Sequence, residues 1–589
     1  MKNFLKYTLA TITGIIIASI LFFVVMIASL SALVSTGEKP VTITEKSVLV
    51  LKAGVEIPDR GNQNPLAGID ILNLSLASAP GLNEILHNLQ KATADPKIKG
   101  ILIENGLASS GWATSGEIRD ALLKFKKHGK FIIAYSDLVL TQQAYYLSTA
   151  ADKIFIQPGT TVDFKGLHGE IMFYKKALDK IGVEVQVTRH GKFKGAVEPF
   201  ILDKLSEENK SQINDYMGSI WKHVVSEISA SRNIPEDKLN LYADNLTGNI
   251  DSEALKNKLI DGLIYRDQLI DTLKSLSGIS SDKDLNLVSM TKYSKVAETG
   301  QKAFSDNKIA VIYASGSIVA GKGSDDNIGG NNYAEVIRKV RLDSSVKAIV
   351  LRVNSPGGTA IAADLMWREL ELASKVKPVV VSMGNYAASG GYFISAPAKR
   401  IYADPATISG SIGVFGLLPN AGKLMGEKLG LTTEIVSTNK NSDFPSISRP
   451  MTSYEKEIMQ TSIENTYKDF VNKVAEGRNM RSGAVDSIGQ GRVWSGTSAI
   501  GIGLVDSLGG LNDAIKGAAT LAGIKSWRLR ELPEIEDPYM RILSQLGGEL
   551  KMSLLKNELG ESVRFYNILK EINELSGIQA RLPYLLDVR

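Results

Sequence analysis

The chain has 589 residues, 44% of them hydrophobic and 22% charged, the make-up of a globular protein large enough for several domains with sizeable cores. Its 68 basic and 63 acidic residues leave a formal charge of +5 with no long run of one sign, so no nucleic acid partner is expected. The absence of cysteine excludes disulfides, zinc-thiolate sites, iron–sulfur clusters and a cysteine nucleophile.

The first segment with a message is Tyr7 to Val34, a run of about 28 uncharged residues where about 20 suffice to cross a bilayer. Lys2 and Lys6 precede it, which favours residues 1–6 in the cytoplasm, an anchor over 7–34 and everything later translocated. A cleaved signal peptide is the competing reading, with Ala28-Ser29-Leu30-Ser31-Ala32 supplying small residues. Against it, the apolar run is much longer than the ~7–15 residues of a usual signal-peptide core.

Beyond Pro40 no second segment approaches a membrane span, and strands alternate with helices. Short apolar, β-branched runs at Ser47–Leu51, Gly100–Ile103, Lys130–Ala134, Ile309–Tyr313, Ala348–Val353 and Pro378–Ser382 read as buried parallel strands. Leu82–Lys91, Ser115–Lys127 and Ala362–Lys375 carry helical periodicity. The alternation predicts an α/β fold with crossover connections.

Two halves of this body can be laid over each other. DPKIKGILI from Asp95 matches DSSVKAIVL from Asp343, an offset of 343 − 95 = 248, and YYLSTAADKIFIQPGT from Tyr145 matches YFISAPAKRIYADPAT from Tyr392, an offset of 392 − 145 = 247. Matches around Asn233 and Asn479, and around Gly262 and Gly503, keep the same order. An internal duplication follows, with similar domains over 45–285 and 305–525 joined by the polar stretch near Ser280–Asp306. Residues 526–589 lie outside the repeat and are expected to form a helical tail. In it Phe565, Ile568, Leu569 and Ile572 have helical spacing, to pack on their own domain or on another subunit.

The halves differ where chemistry would sit. Only the second has RVNSPGG (Arg352–Gly358) after one strand and SMGNYAASGGYFIS (Ser382–Ser395) after another; at the place of Ser389-Gly390 the first half has Gln142-Gln143. Strand ends are where ligands approach an open α/β sheet. Ser389, between Ala388 and Gly390 and ahead of a helical stretch, is placed as a nucleophile would be, although a tight turn of small residues explains it equally. The Gly357-Gly358 turn can add backbone N–H donors with no side chain in the way. The five histidines, His87, His128, His168, His190 and His223, all fall in the first half, so no histidine triad fits within the second. A lysine of lowered pKa can act as base instead, but chemistry alone does not choose which.

Together MGNYAASGGYFIS, VNSPGG, SGSIGVFG (Ser409–Gly416), KFKGAVEPF (Lys192–Phe200) and GRVWSGTSAIGIGLVDSLGG (Gly491–Gly510) resemble the long, duplicated form of signal peptide peptidase A, over nearly the whole chain. The resemblance implies two tandem Clp/crotonase-like domains behind an N-terminal transmembrane helix, a homotetramer, and an inner-membrane enzyme with its bulk in the periplasm. It implies a serine endopeptidase, free of metal and organic cofactors, that degrades remnant signal peptides and other small hydrophobic peptides. The family's nucleophile falls on Ser389, its general base on Lys194, and a serine that hydrogen-bonds the lysine on Ser411; the oxyanion hole falls on Gly390, Gly357 and Gly358. Facing Lys194 in the repeat are Lys440, Asn441, Ser442 and Asp443, so each half lacks what the other supplies. Lys192, on the same face if this stretch is a strand, is either an alternative base or a like charge that depresses the Lys194 pKa. The rival readings are a crotonase-type acyl-CoA enzyme and a non-catalytic membrane scaffold.

Overall fold

The computed structural model describes residues 6–8, 10–15, 17–19, 21, 42–61, 69–70, 75–76, 80–106, 110–297, 305–324, 326–534 and 577–582. The described residues between 6 and 21 are helical, and no helix among the described residues is long and apolar enough to cross a membrane. The rest of the segment expected as an anchor, and the periodic stretch at 560–576, lie outside the described residues.

The first half contributes β1 (Ser47–Lys52), a small antiparallel pair β2 (Ile69–Asp70) and β3 (Ser75–Leu76), then β4 (Ile98–Glu104), β5 (Phe131–Ser136), β6 (Lys153–Ile156), β7 (Glu184–His190), β8 (Gly262–Leu263) and β9 (Leu287–Ser289). Its main sheet runs β8-β6-β5-β4-β1-β9 and is parallel throughout. The second half contributes β10 (Lys308–Ser315), β11 (Ser317–Val319), β12 (Asn327–Gly329), β13 (Val346–Ser355), β14 (Gly357–Thr359), β15 (Val379–Ala388), β16 (Arg400–Ala403), β17 (Ile408–Gly410), β18 (Val414–Asn420), β19 (Val493–Ser495), β20 (Ser507–Leu508), β21 (Arg528–Leu532) and β22 (Gly577–Arg581). Here β20, β16, β15, β13, β10 and β21 lie side by side, again all parallel, while β17 extends off the end of β15.

The two sheets repeat strand for strand. β4 and β13 start 346 − 98 = 248 residues apart, β5 and β15 379 − 131 = 248, and β6 and β16 400 − 153 = 247. Both faces of these strands are covered, which is why they read as unbroken apolar runs: Ile309, Ala310, Val311 and Ile312 are all fully buried. Each half reaches one strand past the boundary expected for it, since β9 pairs with β1 and β21 with β10.

A third sheet joins the halves in the order β12-β11-β14-β22-β18-β7. β7 pairs antiparallel with β18 over seven residues, from His190 opposite Val414 to Glu184 opposite Asn420. One apolar core also runs through both halves, holding Leu49, Ile101 and Ile132 together with Val350, Val380 and Leu511. Between the halves Arg352 is buried against Asp59 (2.8 Å) and Glu117 (2.6 Å). Among the described residues after 525, where a helical tail was expected, are two strands, β21 and β22; residues 535–576 between them lie outside the described ones. These short strands, five residues each, carry too little periodicity to be read against the helical pattern between them.

Candidate active site

β15 ends in a sharp turn at Ser389, whose backbone has φ 55° and ψ −113° before the helix Gly390–Ser395 begins. Ser411, after β17, is also left-handed at φ 51°. Such conformations cost roughly 1–3 kcal/mol each in a residue with a side chain, so the surrounding structure must hold them. It does so through main-chain bonds: Ser389 N–H donates to Gly410 O (2.8 Å), Phe393 N–H to Ser389 O (2.8 Å), and Ser411 N–H to Arg492 O (2.7 Å).

Lys194 arrives from the first half, in the turn that follows β7. Its amide segment is gripped by the second half, since Phe193 N–H donates to Gln490 O (2.9 Å). Gln212, on the long helix Glu207–Arg232, donates from Nε2 to Phe193 O (2.9 Å) and accepts from Val493 N–H (3.0 Å), tying the same turn to β19. The lysine side chain lies in a slot floored by glycine: a Cβ on Gly413 would stand 3.2 Å from Lys194 Cδ.

Within the slot Lys194 Nζ is 2.8 Å from Ser389 Oγ, 2.9 Å from Ser411 Oγ and 3.1 Å from Ser411 O. All three residues are fully buried. Burial alone, with no charged neighbour contributing, pushes the Lys194 amine well below the ordinary lysine pKa. A neutral amine has two N–H donors and one lone pair. Donating to Ser411 O and Oγ uses the donors and leaves the lone pair for the Ser389 hydroxyl proton.

Lys192 is exposed and lies in a turn, not in a strand, because β7 stops at His190. It shares no face with Lys194 and has no part in the lysine's depressed pKa. Lys440 is likewise exposed. His190 is engaged elsewhere, with Nδ1 2.6 Å from Glu464 and its ring stacked on Tyr467 at 3.7 Å.

The glycines expected around an oxyanion separate into two kinds. Gly357 N–H donates to Ser355 Oγ (3.2 Å), so that donor is already engaged. Gly358 and Gly390 come together, a Cβ on Gly390 falling 3.2 Å from Gly358 N and 3.0 Å from Ala580 O of β22. In the first half, the counterpart Gln142 is a brace: its Nε2 donates to Gly166 O (3.0 Å) and its Oε1 accepts from Lys165 N–H and Gly166 N–H (2.9 Å each).

Sequence reasoning alone missed Gly413, Gly491, Gln212 and β22. Gly491 and Gly413 lie inside the quoted motifs, but only the fold shows that both press on Lys194.

Comparison with known proteins identifies the family. The model of peptidase family S49 matches the chain twice, over residues 124–280 and 371–525. Protease 4 of Haemophilus influenzae is 34% identical over 512 residues, covering 85% of this chain and 83% of its own. Protease 4 of Salmonella typhi is 36% identical, with 82% and 80% covered. The chloroplastic serine protease SPPA of Arabidopsis thaliana is 34% identical, with 88% and 76% covered. These matches favour neither the acyl-CoA enzyme nor the scaffold reading. A tandem α/β chain matched in both halves by one peptidase family, and along most of its length by serine proteases, belongs to peptidase family S49 and is a serine protease.

Proposed function

We propose that Ser389 is the nucleophile and Lys194 the general base of a peptide-bond hydrolase assembled across the two halves. Ser389 Oγ attacks the substrate carbonyl carbon as its proton passes to Lys194 Nζ, and the developing oxyanion is held by the N–H groups of Gly358 and Gly390. Lys194 returns the proton to the leaving amine, and the acyl-enzyme is hydrolysed by water activated in the same way. Ser411 orients the amine so that its lone pair faces Ser389. The supporting observation is the 2.8 Å contact between Lys194 Nζ and Ser389 Oγ in a fully buried setting, where burial pushes the amine's pKa well below the ordinary lysine value.

On the same reading the substrates are small hydrophobic peptides, including remnant signal peptides, and the uncharged run 7–34 anchors the chain in the inner membrane with its bulk in the periplasm. The tandem units are of the Clp/crotonase type, and the assembly is a homotetramer. Covalent labelling with a fluorophosphonate tests the nucleophile. Mass spectrometry of the labelled peptide should place the adduct on Ser389 in the wild type and find none in Lys194→Ala; an adduct on another serine overturns the assignment.

A further inference from the structure

Glu198 stands four residues after Lys194, in the same KFKGAVEPF motif, and the catalytic scheme gives it no task. It opens the short helix Glu198–Ile201 and is fully buried, while its neighbours Val197 and Phe200 pack with Val185, Phe415 and Leu417 in an apolar cluster on β7 and β18. An apolar side chain would suit that setting at less cost than a carboxylate, which must be hydrogen-bonded to be tolerated there. Both carboxylate oxygens of Glu198 are engaged. Oε1 accepts from Ser206 Oγ (2.6 Å) and Asn209 Nδ2 (2.7 Å), Oε2 accepts from Ser206 N–H (3.1 Å), and Arg189 Nη1 lies 3.7 Å from Oε1.

The groups it gathers lead to the lysine's backbone by two routes. Arg189, on β7 opposite Phe415, uses the same Nη1 to donate to Lys194 O (3.4 Å). Asn209 Oδ1 accepts from Gln212 Nε2, which also donates to Phe193 O (2.9 Å). Both of these amide side chains are buried. The carbonyls on either side of the Lys194 Cα are thus held by donors that Glu198 orients, while Phe193 N–H is held from the second half by Gln490 O. Burial alone accounts for the lowered pKa of the Lys194 amine, so the Glu198 charge does not act on it. A carboxylate facing the amine would raise that pKa and weaken the lysine as a base. What Glu198 governs is where the base stands.

We infer that Glu198 is a positioning residue for the proton transfer: it orders Arg189 on one side and Asn209 with Gln212 on the other, and so fixes the Lys194 turn with its amine in the buried slot facing Ser389. This rests on the Ser389/Lys194 reading above. A fully satisfied buried network holds one geometry and loses it when one member stops fitting. Glu198→Gln keeps the shape of the side chain, but it removes the charge that draws Arg189 and sets an amide NH2 against the Ser206 N–H that Oε2 now accepts from.

The full-length chain, purified in detergent, tests this through the pH dependence of kcat/KM on a fluorogenic hydrophobic peptide, whose acid limb reports the Lys194 pKa in the free enzyme. In Glu198→Gln the turn loosens, water reaches the amine and its pKa climbs toward the ordinary value of about 10.4, so the limb should move up by about one unit or more. Below both limbs, each unit lowers the neutral fraction, and with it kcat/KM, by about tenfold. Arg189→Met, at a half-buried position, removes one route only and should move the limb the same way by less, and it decides the matter if thermal melts show that Glu198→Gln does not fold. A merely structural role would lower activity by one factor at every pH, through a smaller folded fraction. A limb unmoved in either folded variant therefore overturns the proposal and leaves the dyad standing. A wild type with no acid limb, or Lys194→Ala with wild-type kcat/KM, overturns the dyad reading itself.

Discussion

Gly491 sits so close to Lys194 that a Cβ on it would stand 2.6 Å from the lysine's amide nitrogen and 2.8 Å from its Cα. Gly491 also has φ 81°, a conformation that side chains resist. Gly491→Ala is therefore expected to push the Lys194 turn away from Ser389. A displacement near 1 Å in a reacting pair can cost about 100-fold in rate, so kcat should fall by that order with KM little changed. A variant with wild-type kcat would show that the turn tolerates the shift.

The proton inventory of Lys194 gives a pH signature. Burial depresses its pKa well below the usual lysine value, so activity should rise with pH as the folded-state amine loses its proton, well before an exposed lysine would. Lys194→Arg should be as inactive as Lys194→Ala, because a guanidinium stays protonated. Measurable turnover in the arginine variant would mean that the position supplies charge rather than basicity.

The same depressed pKa has a thermodynamic face. Between the folded pKa and the unfolded value of about 10.4, the unfolded chain binds a proton at Lys194 that the folded chain does not, so this group makes stability increase as pH rises. Lys194→Met removes that dependence. Its Tm advantage over wild type should be greatest toward neutral pH and shrink as pH approaches 10, measured by thermal melts across the range. An advantage that grows with pH would contradict a buried neutral amine.

Ser411→Ala removes the Oγ contact at 2.9 Å and keeps the carbonyl contact at 3.1 Å, so the amine should lose one of two restraints on its direction. We expect kcat to drop by roughly 10- to 100-fold, the range for a misdirected proton acceptor, while Ser411→Thr, which keeps a hydroxyl, recovers part of the loss. Equal loss in both variants would point to backbone disturbance at φ 51° instead.

Arg352 is fully buried between Asp59 and Glu117 and also donates to Ser382 Oγ (2.9 Å). Replacing it by leucine strands two buried carboxylates, a change that costs about 3–5 kcal/mol. Arg352→Leu should lower the denaturation midpoint strongly, and the double variant Arg352→Leu/Asp59→Asn should be less impaired than additivity of the two single changes predicts.

The long parallel strands were legible because a strand covered on both faces needs only a continuous apolar run, as Ile309–Tyr313 and Ala348–Val353 show within β10 and β13. Gly357–Thr359 and Gly577–Arg581 were not, since their pairing comes from main-chain groups that glycine and short polar residues offer as readily as any. Lys194 was singled out through resemblance, because what distinguishes it from Lys192 is a slot built by Gly413 and Gly491, more than 200 positions away in the chain. The offset of the repeat, by contrast, was readable to within a residue, because a duplicated sheet keeps its strand spacing even after its side chains diverge.

Gln142 gives the first copy a structural commitment that the second does not share. Where the second copy has Ser389, this side chain now makes three hydrogen bonds to the turn at Lys165–Gly166. Changing it to serine would leave those backbone groups without this partner and would still provide no lysine opposite. The two copies are therefore not interchangeable: the first uses this position to hold its own backbone, and no single substitution there would make either copy self-sufficient.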